Sequence, residues 1–173
     1  GALATAKVLL NAGADAHLKI KNDASPIRMA ASEGHAQILQ LLIDKGAKLS
    51  TMTEGQPPLH AAAEEGQLEV VKMLLGMNAD LSQLDENGRT ALMYAAEEGQ
   101  LSVVQLLVEK GAKVNQQDKE GRTALTYAAE ERQTEVVRFL LDKGADLALR
   151  DNNGHSALDH AAEENASEAV KLL

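Results

Sequence analysis

The chain has 173 residues, 45% of them hydrophobic and 25% charged, which is the composition of a folded protein and excludes a disordered one. Its net charge of −9 opposes contact with a phosphate backbone, so nucleic acid is excluded as a direct partner and basic peptides or basic protein faces are favoured. There is no cysteine, which removes disulfides, thiolate metal sites and a cysteine nucleophile together. No apolar run approaches the roughly 18–20 residues that a bilayer span requires, so the chain reads as soluble, without membrane insertion. Tyr94, Tyr127 and Phe139 are the whole aromatic complement, and the core must therefore be built from Leu, Val, Ile and Ala in thin, closely packed layers.

Self-similarity dominates the pattern. The segment GRTALMYAAEEGQLSVVQLL at 88–107 returns as GRTALTYAAEERQTEVVRFL at 121–140. The equivalent positions Ser25, Pro57, Thr90, Thr123 and Ser156 are spaced 32, 33, 33 and 33 residues apart. Taken from the beginning, Gly1 to Leu10 aligns with Gly66 to Leu75 and predicts a second helix of one unit, closed by the turn NAGAD. A first helix follows from Ser25, whose hydroxyl can cap free N–H groups, with Pro26 placed where a missing N–H costs nothing. It ends at Gly34, a residue suited to a left-handed cap.

The same order recurs from Pro57 and Pro58 to Gly66, from Thr90 to Gly99, from Thr123 to Arg132 and from Ser156 to Asn165. Each first helix carries paired alanines, such as Ala62 and Ala63 or Ala95 and Ala96, which let neighbouring helices approach closely. Each second helix carries apolar positions three and four apart, as in Val70, Val71, Leu74 and Leu75 or Val103, Val104, Leu106 and Leu107. The turns DKGAK, GMNAD, EKGAK and DKGAD follow, then a short extended stretch and a second turn at Asn87-Gly88, Glu120-Gly121 or Asn153-Gly154. That combination predicts a finger resembling a β-hairpin. Arg132 and Asn78 stand where related units have glycine, and arginine tolerates a left-handed backbone poorly.

With a period of 33, PPLHAAAEEG and SPIRMAASEG close to the pattern T-P-L-H-x-A-A-x-x-G, and GAD-type turns, the chain resembles the ankyrin-repeat family over its whole length. The resemblance implies an all-α solenoid of stacked antiparallel helix pairs with β-hairpin-like finger loops. It divides the chain into a partial repeat at 1–19, repeats at 20–51, 52–84, 85–117 and 118–150, and a partial repeat at 151–173. Neither partial unit shows a polar capping face, and the expectation is an excerpt of a longer array. His60 keeps the histidine of the family motif, whereas Arg28, Met93, Thr126 and Asp159 stand in its other four places.

The function implied is binding of a partner protein or basic peptide through the concave groove and finger loops, in the cytoplasm or nucleus. The alternatives are an architectural spacer, or the regulatory or substrate-recruiting part of a larger enzyme or channel. Glu64-Glu65, Glu97-Glu98 and Glu130-Glu131 follow the alanine pairs at positions that in ankyrin proteins edge the groove, so stacking turns them into an acidic ladder. A carboxylate in the last helical turn opposes the macrodipole, so helix stability does not account for them. Two readings stand: a surface for Lys or Arg side chains, or good helix formers copied by duplication. Tyr94 and Tyr127 lie on nearly the same face, where they either hold a cation or pack between units. Arg89 and Arg122 in the fingers complete the candidate contact set.

Asn115 in GAKVN, with His17 in the equivalent place, resembles the ankyrin asparagine that oxygenases hydroxylate. His155, Asp159 and His160 form the closest cluster of metal-ligating types, but no second ligand pair has zinc-site spacing, and neither a metal nor another cofactor is expected. The carboxylates recur at one register, whereas a catalytic pair is unique to one pocket. There is also no phosphate loop and no nucleophile elbow. The chain is therefore expected to be no enzyme, and to be monomeric unless its ends associate.

Overall fold

Short and long helices alternate along the chain. The computed structural model describes residues 2–15, 25–49, 56–164 and 166–173. The expectations placed on His17 and Asn165 lie outside the described residues. Among the described residues, helix α1 spans Ala2–Asn11 and is followed by five helix pairs. These are α2 (Pro26–Ser32) with α3 (Ala36–Asp44), α4 (Pro58–Glu64) with α5 (Leu68–Gly76), α6 (Ala91–Glu97) with α7 (Leu101–Glu109), α8 (Ala124–Glu130) with α9 (Thr134–Asp142), and α10 (Ala157–Glu163) with α11 (Ser167–Val170). Among the described residues there is no named strand.

Each first helix begins where the sequence places its cap. The hydroxyls of Ser25, Thr90, Thr123 and Ser156 accept from the backbone N–H three residues on, each at 3.3 Å. Pro26 and Pro58 open α2 and α4. In three helices the residue at the family's histidine position closes a reciprocal box: Met93 Sδ, Thr126 Oγ1 and Asp159 Oδ2 accept from the N–H of Thr90, Thr123 and Ser156. His60 instead reaches the next unit, where its Nε2 donates to the Arg89 carbonyl at 3.1 Å. Substitution at that position therefore exchanges an inter-unit bond for a local one.

The pairs stack in two rows, α2–α4–α6–α8–α10 inside and α1–α3–α5–α7–α9–α11 outside. Alanine makes the inner row possible: Ala62, Ala63, Ala95, Ala96, Ala128 and Ala129 are wholly buried. The outer helices supply the bulk, with Val71, Leu74, Val104, Leu107, Val137 and Leu140 also inaccessible. No pair could bury these faces alone, so the core is one continuous strip shared between neighbours.

A second inter-unit device lies at the turn between the paired helices. Gln67, Gln100 and Gln133 donate through Nε2 to the carbonyls of Ser32, Glu64 and Glu97 of the preceding unit, at 2.9, 3.1 and 3.0 Å. The turn glycines Gly34, Gly66 and Gly99 have φ of +72°, +68° and +68°. A Cβ there would lie 2.4, 2.2 and 2.2 Å from the same glutamine side chains. Glycine thus meets two demands, the left-handed backbone and the room for the glutamine. Arg132 adopts φ +60° as a non-glycine residue, and in the following unit the glutamine position is held by Ala166. The two departures fit one another, because an alanine leaves the space that an arginine Cβ needs. The Arg132 guanidinium donates forward to the Glu164 carbonyl instead.

Relief of the left-handed arginine by Arg132→Gly is worth about 0.5–1 kcal/mol, set against an exposed hydrogen bond to Glu164, and the urea midpoint should rise modestly. Ala166→Gln alone should lower it through collision with the Arg132 Cβ. Combined with Arg132→Gly, the same change should raise it by restoring the donation to the Glu130 carbonyl, giving a coupling of about 1 kcal/mol. Additive effects in the double-mutant cycle would contradict this link.

Candidate functional site

The finger loops are organised by an aspartate at one register. Asp85 Oδ1 accepts from the N–H groups of Asn87 and Arg89 at 2.8 and 2.7 Å. Asp118 accepts from Glu120 and Arg122, both at 2.9 Å, and Asp151 from Asn153 and His155, both at 2.9 Å. Each loop is closed by the aspartate N–H donating to the carbonyl of Arg89, Arg122 or His155. The fingers are hairpin-like in this sense, with an isolated antiparallel bridge between Arg150 and Ser156. Successive fingers are joined by Lys119 N–H to the Asn87 carbonyl at 3.0 Å and Asn152 N–H to the Glu120 carbonyl at 2.8 Å.

The second oxygen of each aspartate fixes the inner helix to its finger. Tyr94 Oη donates to Asp85 Oδ2 at 2.7 Å and Tyr127 Oη to Asp118 Oδ2 at 2.6 Å. Burial first, and then the adjacent carboxylate, hold both phenols well above their ordinary pKa, so they remain donors. The Arg89 guanidinium lies between the two rings, 3.9 Å from the Tyr94 centroid and 4.2 Å from that of Tyr127. The tyrosines therefore pack between units, and the cation they hold is the chain's own Arg89.

Arg89 and its equivalent Arg122 also engage the first glutamate of their own pair. Arg89 is ion-paired with Glu97, and Arg122 with Glu130 at 2.9 Å. One unit earlier, Gln56 occupies the arginine register and donates to Glu64 at 2.5 Å. Glu64, Glu97 and Glu130 are half-buried and occupied internally, whereas Glu65, Glu98 and Glu131 are exposed helix C-caps. The ladder is thus two rows of different character. The Glu98 carboxyl is raised above its ordinary value by partial burial and then by Glu97, Glu64, Glu131 and Glu65, so the carboxylates act on one another across three units.

The asparagine singled out by its resemblance has a structural task. Asn115 is exposed, accepts from the Asp146 N–H at 2.9 Å and donates to the Gly144 carbonyl at 3.1 Å, joining two successive turns. The histidine cluster is rearranged relative to expectation. Asp159 is held by Ser156 and by Arg150 at 3.2 Å, and it is Asp151 that meets His155 and His160. Reading by adjacent residues missed the organising aspartates. Their signal is the recurrence of Asp85, Asp118 and Asp151 every 33 residues, three before a glycine.

A family model described as ankyrin repeats (3 copies) matches residues 1–85, 50–118, 75–151 and 113–173. The chain belongs to the ankyrin-repeat family. Its repeats are accordingly of a kind that generally serves as protein–protein interaction modules. A comparison with curated proteins found no match. Among the described residues no helix is long and apolar enough to cross a membrane.

Asp118→Ala, which frees two backbone N–H groups and the Tyr127 hydroxyl, should cost about 2–3 kcal/mol, and Tyr127→Phe about 1 kcal/mol. In the Asp118→Ala background the tyrosine change should cost close to nothing, as read by urea unfolding; equal costs in both backgrounds would dissociate the pair. His60 is wholly buried, and burial depresses its pKa below 6.5 against the opposing Arg89 carbonyl. The unfolded chain then binds the proton first, so stability should be complete above about pH 6.5 and decline as the pH falls below it. His60→Met, the residue used at Met93, should flatten that slope; an unchanged slope between pH 7 and 5 would assign it to other groups.

Proposed function

We propose that the array binds an extended, lysine- or arginine-rich protein segment along the row formed by Glu65, Glu98 and Glu131. The observation that carries this reading is the division of the ladder. Glu97 and Glu130 are ion-paired with Arg89 and Arg122, and Glu64 is hydrogen-bonded by Gln56, while Glu65, Glu98 and Glu131 are exposed; the Glu98 carboxyl is raised by partial burial, then by Glu97 and Glu64, and then by Glu131 and Glu65 on either side of it. Like charges brought together without a partner of their own are compensated by a cationic ligand. The spacing of the inner helices sets the interval at which that ligand must present its charges. Tyr94, Tyr127, Arg89 and Arg122 serve as the rigid backing of the row, and Asn115 lies outside the contact surface. The array itself performs no chemistry in this reading, and its setting is the cytoplasm or nucleus.

Three exposed ion pairs at about 0.5 kcal/mol each correspond to roughly a tenfold change in affinity. A labelled extended peptide rich in Lys and Arg should bind with an affinity that falls steeply with salt. The triple change Glu65→Gln, Glu98→Gln and Glu131→Gln should weaken binding about tenfold while leaving stability equal or higher, since it removes repulsion. Fluorescence anisotropy at two salt concentrations separates the cases. Salt-insensitive binding that survives the triple change would instead favour contacts by the fingers, and no binding at all would favour an architectural spacer.

A further inference from the structure

The finger-base register carries Arg89 and Arg122, and the helix register facing it carries Tyr94 and Tyr127. In the last described finger both registers change together, to His155 and His160, while the organising aspartate is kept as Asp151. The built-in guanidinium and the phenol are thereby replaced by two imidazoles. Glu163, which corresponds to Glu97 and Glu130, faces no arginine at position 155. One nitrogen from each imidazole and one Asp151 oxygen lie within 4.8 Å of one another. His160 and Asp151 have side chains only 7% and 1% exposed, and they are already 3.0 Å apart. His155 is half-buried and stands edge-on to His160 with ring centroids 5.6 Å apart.

We propose that Asp151, His155 and His160 form a binding site for a late first-row divalent cation of the zinc type. Ligand atoms around a tetrahedral zinc ion stand roughly 3.3 Å apart at bond lengths of about 2.0–2.1 Å. Asp151 and His160 are already close to that separation, and the partly exposed His155 ring needs to swing inward by at most about 1.5 Å to complete a three-ligand set. Two imidazoles and one carboxylate select zinc, cobalt, nickel or copper over calcium and magnesium, which prefer oxygen ligands throughout. Asp151 enters as the anion. The Asn153 and His155 N–H groups that donate to its Oδ1 favour the charged carboxylate.

Cation binding exchanges the His160 to Asp151 hydrogen bond for two metal bonds. The His160 proton moves from Nε2 to Nδ1, so the neutral imidazole is retained. Asp151 keeps its other oxygen on the finger N–H groups, which holds the carboxylate in place from the outer side. Arg150 is engaged by Asp159 and the Gly154 carbonyl. The bound ion would lock the finger to α10, the task that the phenol performs in the two preceding units.

The test uses the chain with zinc chloride and, as a spectroscopic probe, cobalt chloride. One equivalent of zinc should bind per chain by calorimetry and raise the thermal midpoint by several degrees relative to EDTA. Cobalt should produce visible absorption of tetrahedral intensity. The double change His155→Arg and His160→Tyr restores the residues of the preceding units, so it should fold with unchanged helicity and lose at least tenfold in zinc affinity together with the cobalt band. His155→Ala alone should also lose the band while sparing the His160 to Asp151 bond. The proposal is overturned if no saturable binding occurs up to millimolar zinc, or if stoichiometry and affinity survive in the double variant, which would place the ion on other histidines.

Discussion

A pair of helices seven and nine residues long has too little apolar surface on any one side to hold itself folded, and everything in this chain follows from that constraint. Each unit must bury its face against the next, so the interface repeats and must be nearly flat. Alanine at the inner contact is the consequence, because a larger side chain would push the inner row apart. The bulk is carried by Val and Leu on the outer helices, where the space between neighbours is wider.

Polar groups then decide how the layers register. Apolar stacking of small side chains has little directional preference, whereas a glutamine reaching a carbonyl of the previous turn does. Gln67, Gln100 and Gln133 supply that direction at one edge, and the aspartate-anchored fingers supply it at the other. The arginine held between Tyr94 and Tyr127 ties these two systems together. Its internal use leaves an acidic surface behind, since each guanidinium neutralises one glutamate of a pair and not the other. Function is thus proposed at the residue that packing does not consume.

Local signals in the chain specified the helices well. Hydroxyl and proline caps, paired alanines and turn glycines act within a few residues of where they stand, so Ser25, Pro58, Thr90 and Gly66 could be read without knowing any neighbour. The departure at Arg132 was also legible as strain, but its compensation was not. Ala166 matters to Arg132 only because stacking brings the two positions together. The same holds for the histidine cluster, where proximity along a helix suggested Asp159 and the fold supplied Asp151 from across the finger.

What the sequence determined alone was therefore the repeat, the helix boundaries and the acidic register, because periodicity and capping are short-range properties of the chain. What only the tertiary structure decided was the state of each charged group. Ion pairing, cation–π contact and burial depend on distances between units that no spacing along the chain encodes. Six glutamates in three pairs, from Glu64 to Glu131, look equivalent when read in line. Folding distinguishes them, because an arginine or a glutamine at the finger base can reach only the inner member of a pair.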